Sequence, residues 1–178
     1  MMRRVYFKEE QRFTQVWLWV VLIVTAVGAI LPLVVELYAQ LIEGRQFGDH
    51  PSTNVTLLIS FFIVLGFSVG IILLFWKTRL ITEVDNRSIQ VRFPPFFLKA
   101  KVFPADTIEE YRIRQYKPLL EYGGWGIRLG RKGRAYNVKG KTGLQLVFKG
   151  GKRLLIGTQR GDALNRAVKK MMEGGKDA

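Results

Sequence analysis

Residues 16–38 and 55–76 form two apolar runs without a single Lys or Arg. As an α-helix each run is roughly 33 Å long, enough to cross a hydrocarbon core of about 30 Å. The expectation is a two-pass membrane protein with one small domain behind the second span. Glu36 is the one ionisable residue within the runs. It lies roughly 13 Å from the centre of its span, close to the outer headgroups, where a carboxylate can reach water. Interface snorkelling is the simpler reading of it, and an ion or proton role the alternative.

Charge sets the expected orientation. Four cations and two anions precede residue 16, whereas residues 36–49 hold Arg45 against Glu36, Glu43 and Asp49. From Lys77 onward there are 23 cations and 9 anions. Lys and Arg are retained on the cytoplasmic side. Both termini are therefore expected in the cytoplasm, with the 39–54 loop outside, at a bacterial inner membrane. Trp17, Trp19 and Trp76 suit the inner interface and Tyr38 the outer one. The first run exceeds a signal-peptide core and lacks an A-x-A-like cleavage site after it, so it reads as a permanent anchor.

The domains expected are an N-terminal segment (1–15), a helical hairpin (16–76) and a cytoplasmic domain (77–178). The lead-in is polar, with Val5, Phe7 and Phe13 as its apolar members, and Pro32 is expected to kink the first span. Gly66 and Gly70 in the second span, with Thr25 and Ala29 in the first, provide small residues four apart. Such spacing lets helix backbones approach closely. It serves packing within the hairpin or a homodimer face.

After residue 76 the period becomes that of strands. Segments 79–83 and 88–93 flank an Asp85-Asn86-Arg87 turn. Pro94-Pro95 ends the second, and 98–103 follows as a third strand. Tyr111 and Ile113 alternate within 107–114. Trp125, Ile127 and Leu129 share one face of a further strand, opposite Arg128. Short strands at 135–138, 144–148 and 153–157 complete the set, the last two joined by a Lys149-Gly150-Gly151-Lys152 turn. Leu164, Ala167, Val168 and Met171 then follow helical spacing over 162–172. The fold class is α+β: a two-helix transmembrane hairpin, then a small antiparallel barrel or sandwich capped by a C-terminal helix.

That order resembles the pleckstrin-homology (PH) superfold. The segments EYGGWGIR (121–128), KGRAYNV (132–138), GLQLVF (143–148) and LLIGTQR (154–160) resemble motifs of an uncharacterised bacterial family. Its members are small two-pass membrane proteins with a cytosolic PH-like domain. The resemblance implies a fold and a location, and no reaction.

Catalytic chemistry finds little support. The chain has no Cys and a single His, His50, beside Pro51. That rules out a disulfide framework and a thiolate metal site. Gly123–Gly126 is a Gly-rich stretch without the Lys-Ser/Thr pair of a phosphate loop. Asp106, Glu109 and Glu110 read as a solvated turn pairing with Arg112 and Arg114, with a divalent site as the alternative. No catalytic residue, metal ligand or cofactor is expected.

The basic surface is the main functional signal. Arg128, Arg131, Lys132, Arg134, Lys139 and Lys141 fall within fourteen residues. Each cation near an anionic leaflet contributes about 1 kcal/mol. Phe96 and Phe97 follow a Pro-Pro turn and cannot both face one sheet core, so one is a candidate apolar foot. Trp125 reads as core, and Gly123 and Gly124 as positions of positive φ. The expected function is a non-enzymatic scaffold or binding module. Its expected partners are the bilayer, anionic lipid headgroups, an unknown protein and, in one reading, a second copy of itself; nucleic acid is disfavoured. The alternative is an accessory or assembly subunit of a larger membrane complex, held by its helices.

Overall fold

A computed structural model of the chain describes residues 4–45, 53–130 and 132–174. It divides into two units. One is Thr14–Trp76; the other joins the residues up to Phe13 with those from Lys77 onward.

The first unit contains α1 (Val16–Leu41) and α2 (Asn54–Lys77). Both are long and apolar enough to cross a membrane. Pro32 lies inside α1, and the helix continues on both sides of it. Ala39 and Leu57 are the helix residues that are buried. A Cβ placed on Gly28, Gly66 or Gly70 would meet nothing within 4 Å. Among the described residues, no atom therefore sits close to Gly66 or Gly70, the positions expected to seat a helix contact.

The second unit begins before the helices. Residues Val5–Arg12 form β1, paired antiparallel with β2 (Arg79–Asp85) so that Arg12 stands opposite Arg79 and Lys8 opposite Glu83. The expected independent N-terminal segment is thus a strand of the domain. Its alternation had no apolar signature because two of its three buried residues, Glu9 and Gln11, are polar; Phe7 is the third. With β3 (Ser88–Phe93) and β4 (Phe97–Pro104) they make a sheet of order β1-β2-β3-β4.

The outer face of this sheet is ionic. Glu83 binds Lys8 at 3.1 Å and Arg92 at 2.9 Å, and Glu10 binds Arg12 at 2.8 Å and Arg79 at 3.2 Å. Burial pulls the Glu83 carboxyl upward, yet the two cations outweigh it and hold it below the usual carboxylate range. Asp85 closes the β2–β3 turn by accepting the Arg87 and Ser88 amides at 2.9 and 2.7 Å.

A 3-10 turn at Ala105–Thr107 leads to the second sheet. It comprises β5 (Ile108–Gln115), β6 (Gly126–Gly130), β7 (Gly133–Asn137), β8 (Thr142–Phe148) and β9 (Arg153–Gly157), in the order β5-β8-β9-β7-β6. One pair, β7 with β9, is parallel, against the all-antiparallel expectation. A short helix, α3 (Pro118–Tyr122), sits between β5 and β6, and Ala135, Leu155, Tyr116 and Tyr122 form a buried cluster. Helix α4 (Gly161–Gly174) buries Leu164, Ala167, Val168 and Met171, the stripe its spacing predicts.

The two sheets do not close into a barrel, which narrows the barrel-or-sandwich expectation. They are tied on the β1 side. Helix α4 touches β1, β2, β5 and β8. Glu9 accepts the Thr158 hydroxyl at 2.6 Å and the Gln159 amide at 2.8 Å. On the opposite side β4 and β6 are terminal strands of their sheets, and a gap remains beside them.

Candidate functional site

That gap is a groove of about 830 Å³, within the roughly 300–1,000 Å³ common for ligand sites. One wall is the far half of β4, Lys101 to Pro104. The other comes from the β6–β7 turn and the β8–β9 turn. Apolar side chains make its body: Phe103 and Phe148, with ring centroids 5.5 Å apart, Leu154, and Leu129, which is 81% exposed. Five cations line it, Lys101, Lys132, Arg134, Lys152 and Arg153, and among the described residues no Asp or Glu does.

Strand geometry explains the arrangement. Alternation puts Phe97, Lys101 and Phe103 on the same face of β4. Lys101 is therefore a cation on an inward face. Its ammonium donates to the Tyr136 hydroxyl at 3.0 Å and lies 4.4 Å from the Phe97 ring centroid. On β7, Arg134 and Tyr136 share the face turned to the groove. Gly133 has φ +101°, and a Cβ there would overlap the Arg153 carbonyl oxygen. Glycine at this position is what lets the β6–β7 turn press against β9.

The structure divides the expected basic surface. Lys132 and Arg134 stand at one end of β7 and line the groove, whereas Lys139 and Lys141 flank the turn at the other end. Arg128 points to the opposite face of β6 and donates Nε to the Trp125 carbonyl at 2.9 Å. Arg131 and His50 lie outside the described residues. Lys101, Lys152 and Arg153 were absent from the sequence-derived set. The available signal was Lys101 itself, a charge at an apolar-face position of a strand.

The aromatic pair splits. Phe97 packs against Phe93 and Tyr136 at centroid distances of 6.1 and 5.5 Å, while Phe96 is 58% exposed. Phe97 is thus part of the inter-sheet contact. Gly123, φ +71°, caps α3, and Gly124 also has positive φ, as expected. Trp125 does not fill the core. It is half-buried and its indole N–H donates to the Gly140 carbonyl at 3.4 Å, bracing the 139–141 turn.

The acidic residues with partners in the fold are spent on structure. Arg114 does not pair with the 106–110 acids; it binds Glu121 at 2.9 Å, and Lys132 reaches the same carboxylate at 3.2 Å. Burial raises the Glu121 pKa, but the hydrogen bonds from Arg114, the Lys117 amide and Lys132 prevail and hold it at about 2. Burial pushes the Tyr116 hydroxyl up to about 12. Among the described residues, no group of three His, Asp or Glu is placed to hold a metal.

No curated protein matches the chain. A family model does, over residues 4–173, which takes in β1, both long helices, both sheets and nearly all of α4. The chain therefore belongs to the family of unknown function DUF6141.

Proposed function

We propose that this protein is a membrane-anchored, non-enzymatic binding module, in which two spans hold a PH-like domain at the cytoplasmic face of a bacterial membrane. The groove beside β4 carries the reading: five cations line an apolar body, and among the described residues the lining itself holds no Asp or Glu, although Lys132 reaches Glu121 at 3.2 Å. Such a surface suits an anionic or acidic partner and offers no acid, base or nucleophile set for turnover. The PH-like assignment rests on two packed sheets followed by a C-terminal helix, with β1 as an addition.

Pairing of β1 with β2 supports the topology. Residues on both flanks of the helices share one ladder, so both flanks belong on one side of any bilayer the helices cross. The cation excess from Lys77 onward makes that side the cytoplasm. The chain enters and leaves the helices at the end of the sheet where Arg79 donates its amide to the Pro94 carbonyl at 3.1 Å. We place exposed Phe96, in the turn at that end, against lipid as an apolar foot, with Arg12, Lys77 and Arg79 beside anionic headgroups.

The second reading, a subunit of a larger membrane complex, has its own observation: among the described residues, nothing lies within 4 Å of a Cβ placed on Gly66 or Gly70. Photo-crosslinking residues placed at Lys152 or at Gly66 in full-length protein separate the two in native membranes. Adducts with one defined protein from position 152 support the module. Adducts from position 66 alone would transfer the function to the helices.

A further inference from the structure

We infer that the groove takes an extended acidic segment of a partner protein, which adds as a strand to the free edge of β4. This deepens the binding-module reading and rests on it. β4 is the last strand of its sheet, so alternate backbone N–H and C=O groups along one side lack a ladder partner. No proline interrupts β4 before Pro104, so the strand keeps its backbone donors along that edge. Main-chain pairing gives affinity in strand addition, and alternate side-chain positions give specificity.

The lining states what the added strand should carry. Successive residues of a strand point to opposite sides. The set turned inward would meet a single lining, in which Phe103, Phe148, Leu129 and Leu154 stand beside Lys132, Arg134, Lys152 and Arg153, so that apolar side chains and carboxylates are both complementary to it. The same charges argue against a second copy of β4, whose Lys99 and Lys101 would oppose their own equivalents.

A lipid headgroup fits less well, since it brings charge but no apolar side chains to meet Phe103, Phe148, Leu129 and Leu154.

The test uses full-length protein in neutral-lipid nanodiscs. The probe is a fluorescent octapeptide of alternating glutamate and valine. Three comparison ligands are a lysine-for-glutamate version, a version N-methylated at alternate residues, and soluble glycerophosphate. Saturable binding is expected, with loss of about tenfold or more in the exposed pair Arg134→Glu and Lys152→Glu. N-methylation of the probe should weaken binding as much, and this arm needs no protein variant. Equal binding of the N-methylated peptide, or no binding of the probe, would overturn strand addition. Displacement by glycerophosphate at equal concentration would make the groove an anion site instead. Defined protein adducts at position 152 without octapeptide binding would retire this ligand class while leaving the module reading intact. Failure of both would retire the module as well.

Discussion

Thr158 donates its hydroxyl to Glu9 at 2.6 Å across 149 residues of chain. The bond joins the strand before the helices to the segment that starts α4, and the Gln159 amide donates to the other oxygen of the same carboxylate. Glu9 is 7% exposed and Thr158 1%. Glu9→Ala leaves the buried Thr158 hydroxyl without this acceptor, at a cost of about 1–3 kcal/mol, and also releases the amide of exposed Gln159. Glu9→Gln, which keeps one acceptor, should cost less. Chemical denaturation of the two variants checks the order, and equal stability of Glu9→Ala and the parent would refute the clamp.

The opposition of Arg12 and Arg79 predicts that the helices are separable from the fold. Joining Arg12 to Arg79 through an Asn-Gly turn closes β1 and β2 into an ordinary hairpin. The resulting soluble chain should melt cooperatively. Residues 78–178 alone lack Phe7, Glu9 and Gln11 and should melt far lower. Phe7→Ala by itself should cost about 3–5 kcal/mol. Matching melting curves for the joined and truncated chains would show that β1 is dispensable.

Stability should narrow at both ends of the pH scale. Glu121 has a depressed pKa, so its contribution is complete above the ordinary carboxylate value and is lost as pH falls toward about 2. Glu121→Gln should flatten that acid limb. Tyr116 has a raised pKa, so its contribution is complete below pH 10 and is lost as pH rises toward about 12. Tyr116→Phe should extend the alkaline limit, read by tyrosinate absorbance alongside unfolding. An acid limb unchanged in Glu121→Gln would place the titrating group elsewhere, for example at Glu83.

Since no described residue comes within 4 Å of a Cβ at Gly66 or Gly70, leucine at both should leave the folded chain's melting temperature unchanged. If the second reading holds, the same pair should change the oligomeric state in detergent. Light scattering separates these outcomes, and a loss of thermal stability in the monomer would reveal a contact within the hairpin.

The basic loop and the apolar turn should act independently. Phe96→Asp should weaken attachment of the joined soluble chain to anionic vesicles, while Arg134→Glu with Lys152→Glu should leave it nearly unchanged. The reverse pattern, in a flotation assay, would return the groove to the lipid surface.

Periodicity alone determined a great deal of this protein. The two apolar helices, six or seven of the nine strands among the described residues and the buried stripe of α4 are each written in local spacing, because burial of one face imposes its period on contiguous residues. The tertiary structure decided what no window along the chain contains. β1 hides from the period-two signal because its inward Glu9 and Gln11 find their partners at Thr158, Gln159 and Gly157, 146 to 150 residues away. The groove is likewise a product of strand order. Lys101, Arg134 and Lys152 line one groove because the sheets are tied through β1 and α4 and touch at Phe97 and Tyr136, leaving a gap beside the far half of β4. Charge counting located the cations, but an open edge between two sheets is a property of their packing, and packing decided which cations face one ligand.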